Sequence, residues 1–228
     1  MCFVSEGGTP AATQEATRPR VELNGPAPDF EATTTHGVIR LSEWEKDKWV
    51  ILFSHPADFT PVCTTEFVEF AKRYDEFQKR GVALLGCSVD SVYSHIAWIR
   101  NIEEKFGVKV KFPVIADLDQ KVSQLYGMIH TPSASTVTVR CVYFIDPNRI
   151  VRAMIYYPLN VGRNFDEIVR VIDALQTVDK EGVACPANWT PGQDVIVPPP
   201  TTQQDAEARA QNKEYNVIDW YISKKKVS

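Results

Sequence analysis

Apolar positions along the chain fall into two rhythms. Continuous runs at residues 49–53 and 82–89 read as strands buried on both faces. Between them Phe67, Phe70, Tyr74 and Phe77 recur at helical spacing, which predicts a helix ending near Arg80-Gly81. Asp90-Ser91 can cap a second helix, whose stripe is Val92, Ile96, Ile99, Ile102 and Phe106. A short strand over 111–116 and a short helix over 117–126, closed by Gly127, follow. Upstream, residues 30–33 and 38–41 flank His36-Gly37 as a hairpin, and a short helical stretch with Trp44 begins at Ser42. Downstream, 136–145 and 150–156 pair around the turn Asp146-Pro147-Asn148. Asn164 caps a long helix with Glu167 placed as in a capping box, and Phe165, Ile168, Ile172 and Leu175 form its buried stripe. Strands alternating with helices predict an α/β fold with a mixed central sheet covered on both faces.

The flanks read differently. Residues 1–20 are rich in Gly, Thr, Ala and Pro and read as a flexible arm carrying Cys2. Residues 21–180 form the domain. Residues 181–228 form a C-terminal extension with three consecutive prolines, a polar helical segment and the exposed-looking pair Trp220-Tyr221. That extension either packs on a neighbouring subunit or folds on its own domain.

Composition narrows the function. With 228 residues and 44% hydrophobic content the chain has material for a full core. A net charge of −4 argues against a nucleic-acid binder. No apolar run reaches membrane-spanning length, and the first twenty residues have no basic start followed by an apolar core, so neither membrane partner nor secretory signal is expected. Five scattered cysteines are no disulfide framework, and there is neither a CxxC nor a zinc-type cluster. No metal or other cofactor is expected, and reduced thiols point to the cytoplasm.

Candidate chemistry lies in residues 54–67. A strand enters this stretch and a helix leaves it. Thr60 can cap that helix, Pro61 suits its first turn, and Cys63 falls inside that turn. The unpaired amides and the positive end of the helix dipole both favour a thiolate there. The thiolate is the reactive form of cysteine. Cys87, within a buried run, reads as core. Cys141 follows Arg140 on a strand, so alternation turns it to the opposite face.

Pro56-x-x-x-Thr60-x-x-Cys63, within His55-Pro-Ala-Asp-Phe-Thr-Pro-Val-Cys-Thr-Thr-Glu, resembles the active-site signature of the peroxiredoxins, in its one-cysteine and archaeal branch. The resemblance continues through Phe112-Pro-Val-Ile-Ala-Asp, Arg140, Tyr157-Pro158 and residues 162–168, covering nearly all of 21–200. It implies a thioredoxin-like fold and a thiol peroxidase acting on hydrogen peroxide and small alkyl hydroperoxides. Cys63 would be the peroxidatic thiol. Arg140 would place charge beside the sulfur, Thr60 would orient the peroxide, and Pro56 would shield the thiolate. His55, Arg163 and Val62 would complete the substrate pocket. Residues 181–192, with Cys185-Pro and Trp189, resemble instead the resolving segment of two-cysteine peroxiredoxins. Matching Cys185 implies an intersubunit disulfide from Cys63 of one chain to Cys185 of its partner. The resemblance further implies a homodimer, sometimes a ring of dimers, and a thioredoxin-like or small-thiol reductant.

Two other functions stay open beside this one. The first is a one-cysteine enzyme resolved by an external thiol. The second is a ring-forming, chaperone-like interaction protein. The Gly-Gly-Leu-Gly insertion of oxidation-sensitive two-cysteine enzymes is absent, as are the C-terminal cysteines of archaeal relatives. A phospholipase side activity of animal one-cysteine relatives is not carried over, because Lys48 and Asn148 stand at the serine and aspartate positions it would use.

Overall fold

The computed structural model describes residues 21–227. The arm at 1–20, with Cys2, lies outside the described residues. In chain order the first elements are β1 (Glu31–Thr34), β2 (Gly37–Arg40), β3 (Trp49–Ser54), α1 (Pro61–Lys72), α2 (Tyr74–Lys79) and β4 (Val82–Ser88). Then come α3 (Val92–Phe106), β5 (Val114–Ala116), α4 (Lys121–Leu125), β6 (Arg140–Ile145), β7 (Val151–Tyr157) and α5 (Phe165–Glu181). The extension holds β8 (Val195–Val197), α6 (Gln203–Ala210), β9 (Asn216–Asp219) and β10 (Ile222–Lys225).

Seven strands form one sheet in the order β2-β1-β5-β4-β3-β6-β7. β3 runs parallel to β4 and β4 to β5, while the other pairs are antiparallel. Alternation along β3 divides the core. Ile51 and Phe53 face the cluster built with α1, α3 and α5. Val50 and Leu52 face the cluster built with Phe30, Tyr126 and Met128. Phe53 stacks on Phe70 of α1 at 4.0 Å between ring centroids. Gly86 lets the helix come this close, since a Cβ there would meet Phe53, Phe67 and Val114 each at 3.4 Å. Burying a phenylalanine side chain contributes ~1.5–3 kcal/mol, so this aromatic layer fixes where α1 sits on the sheet.

Several local expectations change. The stretch from Ser42 is a series of turns, not a helix. The helix expected after Cys63 is broken at Arg73 into α1 and α2. α3 starts with the Ser91 cap, whose Oγ accepts the Ser94 N–H. Its inward face, however, is His95, Trp98 and Ile102, while Ile96 and Phe106 are exposed. Hydrophobicity misplaced this stripe because a histidine and a large amphipathic tryptophan carry the contact. α4 is shorter than expected: Asp117 stands before it and its carboxylate accepts the Val122 and Ser123 N–H groups. The strand expected over 136–145 begins at Arg140. Asn164 does cap α5, accepting from Asp166 and Glu167, but Glu167 turns to Arg170 and does not return the bond.

The extension folds partly on its own chain. Trp189 is buried with Val183 and Val195 against Ala174 of α5. β8, β10 and β9 then form a small antiparallel sheet whose Ile218, Trp220 and Tyr221 stay exposed.

Candidate active site

β3 ends at Ser54, and the chain crosses residues 55–60 to enter α1. Ligand sites in such sheets gather at the carboxyl ends of parallel strands, where this loop lies. The helix ladder opens with the Thr64 N–H donating to the Thr60 carbonyl at 3.0 Å. The amides of Val62 and Cys63 precede it, in the position where a helix favours negative charge. Thr60 is the N-cap by backbone conformation, yet its side chain makes no capping bond. Its hydroxyl donates instead to the Ala57 carbonyl at 2.9 Å. The expected cap is therefore absent, and the hydroxyl oxygen keeps its acceptor sites.

Cys63 has no exposed surface. Arg140, at the start of β6, donates Nη1 to Cys63 Sγ at 3.3 Å. The same Nη1 reaches Glu66 Oε2 at 2.7 Å, while Nε and Nη2 hold the Leu159 carbonyl at 3.0 and 2.8 Å. Glu66 is one helical turn beyond Cys63 and buried. It also accepts Nη1 of Arg163 at 2.6 Å and the Arg163 backbone N–H at 2.9 Å. Arg163 donates further to the Ser54 and Cys141 carbonyls. Burial pulls the Arg163 guanidinium down from its ordinary value, and Glu66 opposes that pull. One buried carboxylate thus positions two guanidinium groups, the arrangement in which a buried charge is tolerated. Cys141 faces away from this cluster as alternation required, and burial pushes its thiol up to about 11.

His55, expected as a second layer, is fully buried behind the loop. Its Nε2 meets Asp58 Oδ1 at 2.8 Å. Asp58 also meets Nδ1 of His95, at 3.0 and 2.8 Å from its two oxygens, and Nε2 of His95 faces the Ile115 carbonyl at 3.0 Å. Burial lowers His55 more than Asp58 raises it. Burial would raise Asp58, but its hydrogen bonds to His55 and His95 win and hold it well below the carboxylate range. Two imidazoles and a carboxylate are a donor set a divalent cation accepts. Here the carboxylate lies at hydrogen-bond distance from both rings, while His55 Nδ1 is left without a partner.

The structure therefore brings Cys63, Arg140 and Arg163 together, with Pro56 buried and Thr60 and Val62 half-buried beside them in sequence. It does not bring Cys185 there. Its Sγ lies 3.7 Å from the Ala174 carbonyl. Ala174 is ten residues along α5 from its Asn164 cap (174 − 164), roughly 15 Å of helix rise. Sequence reasoning missed Glu66, Asp58 and His95 as site residues. Glu66 carried a signal: a charged residue in the helix's apolar stretch, one turn from Cys63. A cavity of about 530 Å³ lined by Gln120, Gln124, Tyr126, His130 and Tyr156 shares no residue with this site.

An α/β sheet that presents a buried cysteine and a guanidinium at a helix start describes a thiol enzyme of thioredoxin-like fold. The family described as AhpC/TSA family matches residues 23–154, and the C-terminal domain of 1-Cys peroxiredoxin matches residues 174–213. A peroxiredoxin of Aquifex aeolicus is 57% identical over 90% of this chain and 96% of its own length. One of Thermoplasma volcanium is 54% identical over 89% and 97%. A solved structure of yeast mitochondrial 1-Cys peroxiredoxin superposes with a TM-score of 0.81 at 46% identity, covering 90% of this chain and 99% of that one. The reduced 2-Cys peroxiredoxin of Plasmodium vivax superposes with a TM-score of 0.71 at 36% identity, covering 76% and 92%. The chain belongs to the peroxiredoxin family of thiol peroxidases and has its thioredoxin-like fold.

Proposed function

We propose that Cys63 is the peroxidatic thiol and that hydrogen peroxide and small alkyl hydroperoxides are its substrates. The observation that carries this is the Arg140 guanidinium at 3.3 Å from Cys63 Sγ, at the first turn of α1. The thiolate attacks the terminal peroxide oxygen, the O–O bond breaks, and the leaving oxygen departs as water or an alcohol after taking a proton. Cys63 is left as sulfenic acid. Arg140 and the first-turn amides stabilise charge on the oxygens as the bond breaks. Thr60 Oγ1, which gives its hydrogen to Ala57, accepts from the peroxide and orients it. Pro56 excludes water, Val62 borders the entry, and His55 and Arg163 support the loop and Arg140.

For resolution we infer that Cys185 of a second copy attacks the sulfenic sulfur, forming an intersubunit disulfide and releasing water. A thioredoxin-like protein or a small thiol then reduces the disulfide. The partial exposure of Cys185 and its separation from Cys63 within one chain support a partner-chain role. Burial raises the Cys185 thiol against the opposing charge of Arg170. A second reading, direct resolution by an external thiol, is favoured by the match to the one-cysteine C-terminal domain and the likeness to the yeast 1-Cys structure. Among the described residues no helix is long and apolar enough to cross a membrane, and a cytoplasmic homodimer or ring of dimers completes the proposal. The 21–180 domain would hold the peroxidase site and the 181–228 extension the resolving thiol.

One experiment separates these readings. Cys63→Ser should abolish peroxide consumption, and persistence of turnover would refute the function itself. After one equivalent of peroxide, wild type should give a covalent dimer on non-reducing electrophoresis and Cys185→Ser should not. An undiminished dimer in that variant refutes the Cys185 disulfide, and turnover with a small thiol equal to wild type supports the one-cysteine reading.

A further inference from the structure

Asp58 lies five residues before Cys63 and two before the N-cap of α1 (63 − 58 and 60 − 58). Its side chain is 1% exposed, which for a carboxylate demands compensation. The hydrogen-bond geometry identifies the charges. One nitrogen of His95 faces the Ile115 carbonyl and the other faces Asp58. A carbonyl and an ionised carboxylate only accept, so with Asp58 ionised both nitrogens of His95 carry hydrogen and the ring is a cation. His55 has one nitrogen on Asp58, and its Nδ1 has no partner. With burial disfavouring its charge, His55 is neutral, with hydrogen on Nε2 and a bare Nδ1. Asp58 and His95 are then a buried ion pair, and His55 is its third, uncharged member.

This pair ties the active-site loop to the sheet and to α3. Asp58 also donates its backbone N–H to Asp90 Oδ2 at 3.1 Å, and Ser88 Oγ donates to the same oxygen at 2.6 Å. The titratable groups around the clasp are thus His55, His95 and Asp90. Immediately after it, Phe59 stands at a φ of 54°, in the left-handed region, with its ring 57% exposed. An exposed side chain offers nothing to offset that strain. Such a conformation persists only where its surroundings over-determine it. On the far side Thr60 gives the helix no side-chain cap. Asp58 thus holds the loop and the start of α1 from one side, beside the Thr138 hydroxyl on the His55 carbonyl and the Thr60 hydroxyl on the Ala57 carbonyl.

We propose that Asp58 and His95, with His55, form a charged clasp that positions the peroxidatic turn and gates its opening. This rests on Cys63 being the peroxidatic thiol. Closed, the clasp holds Cys63 against Arg140, where peroxide is reduced but no exposed surface admits a bulky thiol. Open, it frees the first turn of α1, and a thiol reaches the sulfenic sulfur. In that step the thiol R–SH replaces the hydroxyl of Cys63–S–OH, giving Cys63–S–S–R and water. Asp58 and His95 are positioning residues that act through Cys63. Weakening the clasp has opposite effects on the two half-reactions, whereas a merely structural defect lowers both.

The first test uses wild-type protein. Nitrogen-15 spectra of the histidine rings near neutral pH should show His95 with two hydrogen-bearing nitrogens and His55 with a bare Nδ1. A neutral His95 ring overturns the clasp. The second test compares wild type with Asp58→Asn and His95→Gln. Oxidation by hydrogen peroxide should slow by about tenfold or more, the scale of a lost charged hydrogen bond. Capture of pre-formed sulfenic acid by dithiothreitol, and amide exchange at residues 62–65, should accelerate by about tenfold, as expected when local opening is released. Parallel loss of both chemical rates, or unchanged exchange, refutes the gating role. Ser88→Ala removes only the hydroxyl beneath Asp90, so it should fold where the others fail and shift the two rates in the same opposed directions by a few-fold. Turnover surviving in Cys63→Ser would sink the peroxidatic reading, while the charge state of His95 is judged from the spectra alone.

Discussion

Two arginines share one carboxylate at the heart of the site, and a second carboxylate lies between two histidines behind it. Glu66 spaces Arg140 and Arg163, and Asp58 joins His55 to His95. Both acids are almost free of solvent, so losing either leaves a buried partner uncompensated. Breaking such a pair costs about 3–5 kcal/mol. For Asp58 the pH dependence has a definite sign. Its folded value lies below the ordinary 3.8, so its stabilisation is fully present above that value and fades as pH falls below it. Denaturant titrations should therefore show Asp58→Asn less stable than wild type by about 3 kcal/mol at neutral pH, with the gap closing in acid. A constant gap at every pH contradicts the ion pair. Cys63 and Arg140 were legible in the sequence through a short motif and one isolated arginine. The Asp58–His95 contact was not, because 37 residues separate the partners and hydrophobic periodicity turned Ile96, not His95, to the inward face of α3.

At the scale of elements, α1 and α5 meet at their N-termini, and their caps differ. α5 is closed by Asn164, whose Oδ1 accepts two backbone amides, and Arg163 enters the site from the residue before it. α1 begins with a proline and an unused threonine side chain. One helix start is closed by a side-chain cap and the other is not. Asn164→Ala should lower stability by ~1 kcal/mol, the usual worth of a cap. It should also reduce peroxide reactivity, because Arg163 and Glu66 lose their fixed origin; calorimetry and single-turnover oxidation measure the two effects. The element order was readable from alternating strand and helix patterns. The rotation of α3 was not, since it follows from Trp98 packing on His55 and Phe67 and from His95 bonding Asp58, and the break at Arg73 leaves no mark in an apolar spacing that runs through it.

At the scale of the molecule, the sheet ends in β7, which among the described residues has no neighbour on its outer side, and the small sheet presents Ile218, Trp220 and Tyr221 to solvent. An open edge and an exposed aromatic patch both favour association. Sedimentation at micromolar concentration should show at least a dimer, and Trp220→Glu combined with Tyr221→Glu should shift it toward monomer. A monomeric wild type would remove the partner that the Cys185 disulfide needs. The extension illustrates what patterning leaves open: its prolines and polar helix announced a change of character. Only the structure shows Trp189 buried on its own domain while the terminal aromatics remain outside.

The Glu66 bridge has a consequence for the whole cycle when charges are counted. With Cys63 as thiolate, two guanidinium groups face two anions, and the site is neutral. Converting the thiolate to an uncharged sulfenic acid removes one anion and leaves a net positive site that no other part of the cluster balances. An arriving thiolate restores the balance. On the proposed cycle, with Cys63 as the peroxidatic thiol, the oxidised enzyme would attract the anionic form of its reductant, and the reduced enzyme, once neutral, would let it go.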